Sequence, residues 1–185
     1  MRYISTRDKN INISASEAIA TGLSRDGGLF TPELMPSVGL DEIAAMCRQS
    51  YQSRAVKIMK LFLDEYSEDE IADFAKKAYS DNFDNADIAP LRALDGNTAF
   101  LELWHGPTCA FKDMALQMLP HLLTASLKKT GEKREVCILV ATSGDTGKAA
   151  LEGFRDVAGT RILVFYQEDG VSDVQKLQMT TQTGA

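Results

Sequence analysis

Along residues 1–90 the apolar positions recur at helical spacing. In SRAVKIMKLFLDEY, Ala55, Ile58, Met59, Phe62 and Tyr66 fall three or four residues apart and line one face of a predicted helix. A second helix is predicted directly after it. Ser67 and Glu70 open that helix as a capping-box pair, and Ile71, Phe74, Ala75 and Ala78 share one stripe. Both stripes read as core packing. Upstream, SASEAIATGL predicts a helix with Ser14 and Ser16 as candidate N-caps and Glu17 in the first turn, where its charge complements the helix dipole. Between these helices SRDGGLFTPELMP, with Gly27-Gly28, Pro32 and Pro36, predicts an extended, turn-rich connection.

From about Ala89 the pattern changes. TAFLELW, VCILVAT and RILVFY are compact β-branched or aromatic runs, which predict buried strands. Helical patterns separate them over residues 111–129 and 146–157, ended by Gly131 and near Gly159, and Pro120 inside the first predicts a kink. Strands alternating with helices imply right-handed crossovers and a mainly parallel sheet. The expectation is therefore an α/β chain, with a mostly helical domain over 1–90 and a second domain over 91–185. The closing stretch, SDVQKLQMTTQTGA, is helical and ends where an α/β fold would begin its next strand, so a truncated second domain is expected.

Composition narrows the function without naming it. The chain is 44% hydrophobic and 25% charged, in keeping with a soluble globular protein, and no stretch reaches the roughly 20 apolar residues of a membrane span. No apolar run follows the basic start in the manner of a signal peptide, so a cytoplasmic location is expected. A net charge of −6 with scattered Lys and Arg leaves no footprint for nucleic acid, and a phosphorylated substrate would need local donors. The 3 cysteines lack CxxC spacing and the 2 histidines, His105 and His121, stand far apart, so neither a disulfide framework nor a metal site is expected.

Two segments carry chemistry. In HGPTCAFKDMA, Lys112 follows a loop and opens a helix, and a lysine amine is the side chain that can condense with an aldehyde. In ATSGDTGKAA, a strand runs into a helix whose first amide groups suit an anion. A nucleotide P-loop is a rival reading there, but Thr142 stands where its first glycine belongs and Ala149 replaces its Ser or Thr. His105 reads either as a donor to a substrate phosphate or as an anchor of its loop, and Lys148 either as a phosphate ligand or as a solvated lysine. His121 reads as structural.

Lys112 with its flanks resembles the cofactor-attachment site of fold type II pyridoxal-phosphate enzymes. The segments SASEAIATGLSRDGGLFTPELMP, ELWHGPTCAFKDMALQ, ATSGDTGKAA and VSDVQKLQMTT together resemble the threonine synthase family. The resemblance implies a three-layer αβα catalytic domain, here partial, and pyridoxal phosphate held on Lys112 as a Schiff base with Phe111 and Asp145 beside it. It further implies that Ser143, Gly144, Asp145, Thr146 and Gly147 take the substrate carboxylate. The implied reaction converts O-phospho-L-homoserine and water to L-threonine and phosphate. Such enzymes are far longer, so the expectation is that this chain alone is not a competent synthase. The alternatives are a related phospholyase and a non-catalytic chain that self-associates through an exposed sheet edge after RILVFY.

Overall fold

The computed structural model describes residues 1–142 and 144–184. In chain order the elements begin β1 (Tyr3–Ser5), β2 (Asn12–Ile13), α1 (Ala15–Thr21), β3 (Phe30–Pro32), α2 (Leu40–Met46), α3 (Tyr51–Phe62) and α4 (Glu68–Ala78). They continue with β4 (Leu91–Ala93), β5 (Ala99–Leu101), α5 (Asp113–Leu116), α6 (Leu119–Lys129), β6 (Val136–Thr142), α7 (Asp145–Gly153), β7 (Thr160–Tyr166) and α8 (Asp173–Thr180). The chain divides into two compact units, Met1–Lys77 with His121–Lys133, and Ala78–Pro120 with Arg134–Ala185.

In the first unit β1 pairs antiparallel with both β2 and β3. Strands this short show no alternation of apolar and polar positions, so the sequence predicts a connection where β3 lies and no element over β1 and β2. Of the two candidate caps of α1, Ser14 serves: its side chain accepts from the Glu17 N–H, and the Glu17 carboxylate accepts from the Ser14 N–H at 2.8 Å. Ser67 and Glu70 exchange the same pair of bonds at the start of α4, at 2.7 and 3.1 Å. The second predicted stripe is core, since Ile71, Ala75 and Ala78 are buried and Phe74 is half-buried. Of the first, Tyr66 is fully buried but Ile58 is exposed, and Val56, outside that stripe, is the buried residue of α3. Tyr66 also hydrogen-bonds the buried Ser126 hydroxyl of α6 at 2.6 Å, and Lys129 sits over its ring while pairing with Glu70 at 3.0 Å.

In the second unit β4 and β5 form an antiparallel hairpin. The run TAFLELW thus supplies a strand outside the parallel pair. β6 and β7 run parallel, in register from Val136 against Thr160 to Thr142 against Tyr166, with α7 as the crossover. α7 packs against both strands. A Cβ on Gly147 would stand 2.5 Å from Thr142 Cγ2 and 2.9 Å from Val164 Cγ1, so the bare glycine lets the first turn of α7 rest on the sheet. That contact covers the face holding Val164. On the opposite face Leu139, Leu163 and Phe165 are 67%, 53% and 62% exposed, so the two strands are half-covered where the sequence predicts full burial. An apolar run announces a strand but not how many of its faces are covered.

The helical pattern over residues 111–129 divides into α5 and α6. Pro120 is the second residue of α6, where a missing N–H removes no helical bond, so the predicted kink is a break between two helices.

Candidate functional site

Lys112 stands at the N-cap of α5 with helical dihedrals, at the end of the loop that begins at Glu102. The residue after it closes that loop. Asp113 is fully buried, and its carboxylate accepts the Thr108 backbone N–H and the Thr108 hydroxyl, each at 2.8 Å. Burial pushes the Asp113 carboxyl above its ordinary value, and the two Thr108 donors pull against that shift. Gly106 makes the closure feasible, because a Cβ there would lie 2.6 Å from Asp113 Cβ and Oδ2. Cys109 takes a left-handed φ of 58°, which turns the chain toward the lysine.

The Lys112 ammonium lies 4.2 Å from the centre of the Phe111 ring. Among the described residues it has no hydrogen-bond or ion-pair partner, which leaves the amine free to react. Lys148 differs: it pairs with Glu152 at 3.3 Å and donates to the side chain of Gln182. His105 is likewise engaged, with Asp84 at one ring nitrogen and Glu102 at the other.

The candidate carboxylate turn begins α7. Its N-cap is Gly144, with φ at 145°, and no side chain of its own caps the helix. The cap comes instead from the strand end, where Thr142 Oγ1 accepts from the N–H groups of Gly144 and Gly147 at 3.0 and 3.2 Å. Thr146 and Asp145 follow in the first turn. The Asp145 carboxylate accepts from Gln175 Nε2 at 2.7 Å, and Gln175 fills the space a Cβ on Gly144 would enter, at 2.5 Å. Ser143 lies outside the described residues.

α5 packs against α7 within the second unit. The approach is close, since a Cβ on Gly153 of α7 would stand 2.2 Å from the Leu116 carbonyl oxygen of α5. The structure thus brings the helix opened by Lys112 against the helix opened by the Gly144–Gly147 turn. Sequence reading missed Thr142, Gln175, and the partners of His105. A threonine just before a glycine-led helix and the spacing Ser172-x-x-Gln175 were signals for the first two. A cavity of about 410 Å³ lined by α2 and α3, among them Met46, Val56 and Leu61, includes none of the candidate residues. Among the described residues no cluster of His, Cys, Asp and Glu could hold a metal ion, and no helix is long and apolar enough to cross a membrane.

Comparison with known proteins agrees in sequence and in fold. The family model described as threonine synthase N terminus matches residues 2–79. A threonine synthase of Pseudomonas aeruginosa is 44% identical over 187 residues, covering 100% of this chain and 39% of that protein. That of Schizosaccharomyces pombe is 39% identical, covering 98% of this chain and 37% of the relative. The crystal structure of a threonine synthase from Brucella melitensis with pyridoxal phosphate bound superposes with a TM-score of 0.88 at 37% identity, over 97% of this chain and 38% of the other. The chain therefore spans about two-fifths of the length of these relatives. In its motifs, in its α/β fold and along its whole length the chain is thus similar to the N-terminal part of threonine synthases.

Proposed function

We propose that Lys112 is the attachment point for pyridoxal phosphate, and that this chain is the lysine-bearing part of a threonine synthase. The substrates would be O-phospho-L-homoserine and water, and the products L-threonine and phosphate. One observation carries the reading: the Lys112 amine is unpaired among the described residues, on a loop locked by buried Asp113, in a unit where α5 packs on α7.

The residues fit the group. The Phe111 ring beside the amine offers an apolar surface for a flat heterocycle, and no described carboxylate competes for the ammonium. When bound, the cofactor supplies an electron sink for charge developing at the substrate α-carbon. Lys112 Nζ then moves protons at the α- and β-carbons. The amides of the Gly144–Gly147 turn, with the Ser143 hydroxyl, take the α-carboxylate. Asp145 is held beside that turn by Gln175. Lys148 and His105 already serve carboxylates, so the substrate phosphate needs other donors.

The share of the relatives covered, 39% and 37%, supports a finer reading, that the 185-residue chain by itself binds the cofactor weakly and lacks synthase activity. The test of the lysine is borohydride reduction with pyridoxal phosphate present, followed by peptide mapping. Label on Lys112, lost in Lys112→Ala, is expected; label on a different lysine overturns the assignment. Tight stoichiometric binding with phosphate release would refute the finer reading alone.

A further inference from the structure

We infer that His105 is a positioning residue, a cation clamped between Asp84 and Glu102 that fixes the loop presenting Lys112. The inference deepens the reading of Lys112 as the cofactor's anchor and rests on it for its functional meaning.

The geometry sets the charge. Nδ1 of His105 lies 2.5 Å from Asp84 Oδ1 and Nε2 lies 2.8 Å from Glu102 Oε2. A neutral imidazole has one N–H, so its other nitrogen would turn a lone pair onto a carboxylate oxygen. Only the imidazolium donates to both. The two carboxylates accordingly hold the His105 pKa above its ordinary value, Glu102 foremost. The charged groups facing the ring are Asp84 and Glu102, and beyond Glu102 stands Arg92, 3.7 Å from it. Trp104 flanks the ring at 5.7 Å.

The clamp acts on Lys112 through a short segment of chain. The Asp84 N–H also donates to the His105 carbonyl at 2.9 Å, so residue 84 grips residue 105 by backbone and side chain together. The same segment grips α5 behind the lysine: Tyr79 donates its hydroxyl to the Met114 carbonyl at 2.7 Å, and Asn82 donates to Gln117 Oε1 at 2.9 Å. Lys112 lies between these anchors, with the Asp113–Thr108 bonds closing the loop inside them. Losing the proton of His105 removes one of the two ring bonds, leaving the backbone bond and a single ring N–H, so it loosens the front anchor and leaves the rear one intact. A substrate phosphate at His105 would have to displace one of two carboxylates, which sets the clamp apart from an anion site.

A raised histidine pKa means that the charged clamp is present below the ordinary histidine value, while the carboxylates stay ionised, and is loosened as pH rises through the raised value. The chain has 2 histidines, so ring nitrogen NMR resolves them, with His121→Gln fixing the assignment. In the full chain without cofactor, both nitrogens of His105 are expected to stay protonated above the ordinary histidine range. Exchange protection of the amides from Gly106 to Phe111, corrected for intrinsic rates, should fall several-fold across that titration. In His105→Gln and Asp84→Asn the step should vanish, with protection low throughout. The yield of Lys112 trapped by borohydride with pyridoxal phosphate should be several-fold lower in His105→Gln than in wild type below the His105 titration, and equal above it. Titration of His105 at or below its ordinary value, or loop protection with no step, overturns the clamp. Failure to label Lys112 in any variant defeats the cofactor reading instead, and the exchange data still decide the clamp.

Discussion

Asp113 offers the sharpest test of how the lysine loop is held. It is fully buried, Thr108 is 6% exposed, and the two bonds between them are both 2.8 Å. A hydrogen bond to a charged group contributes about 1.5–3 kcal/mol, and a buried donor left unpaired costs about 1–3 kcal/mol. Thr108→Val removes one donor and leaves the carboxylate its backbone partner, so about 1.5–3 kcal/mol is expected. Asp113→Ala strands both Thr108 donors and opens space beside Gly106, and about 3–5 kcal/mol is expected, a large part of a typical domain's 5–15. Combining the two should cost about 1.5–3 kcal/mol less than their sum, because the hydroxyl has no partner left to lose. Urea unfolding followed by circular dichroism measures all three. Additive losses, or an Asp113→Ala change under about 1 kcal/mol, would refute the account. Asp113→Asn adds a pH test. Burial raises the Asp113 pKa from 3.8, so its protonation stabilises the fold at acid pH, and that contribution is lost as pH rises through the raised value. Asparagine has no such term, so its deficit against wild type should shrink as pH rises from about 4 through the raised value.

Further outcomes follow from close approaches and backbone angles. Gly153→Ala sets a methyl group 2.2 Å from the Leu116 carbonyl and should cost about 2–3 kcal/mol in urea unfolding; a neutral result would mean that α5 does not pack on α7 as described. Gly106→Ala meets Asp113 at 2.6 Å and should lower the thermal midpoint, by less in an Asp113→Gly background than in the wild type. Cys109 has φ at 58°, so Cys109→Val should cost about 1–2 kcal/mol and Cys109→Gly nothing or less; equal effects would place residue 109 in another conformation. The His121 pKa is lowered, first by burial and then by Lys77, with Asp73 opposing. Its contribution to stability is therefore present above its ordinary pKa and lost as pH falls through the lowered one, and its NMR titration should lie on the opposite side of 6.5 from that of His105.

What was legible in the sequence is what repeats or caps within a few residues. The stripe of Ile71, Phe74, Ala75 and Ala78 and the caps Ser14 and Ser67 are local statements, and the structure carries them with Phe74 alone half-buried. β1, β2 and β3 are two or three residues long, too short to alternate, and they escaped. Lys112 and the Gly144–Gly147 turn stood out because each chemistry-bearing group lies in a contiguous motif. The groups that hold them did not, because their partners are distant: Asp84 is 21 residues from His105, and Asp145 is 30 from Gln175.

Gln175 shows why this division has a physical basis. Its Oε1 accepts from the Ser172 N–H at 3.1 Å, a bond that the spacing Ser-x-x-Gln announces. Its Nε2 donates to Asp145 at 2.7 Å, a bond that no spacing announces, because it depends on α8 lying against α7. An amide offers an acceptor and a donor on one rigid group, so the local cap aims the donor, and the cap of α8 thereby orients a residue of the candidate carboxylate turn. The same economy holds at Asp113, which begins α5 and closes the loop ahead of it. In this fold residues that begin helices also fix the candidate reactive ones, so the support of the site is drawn from ordinary capping chemistry and leaves no motif of its own.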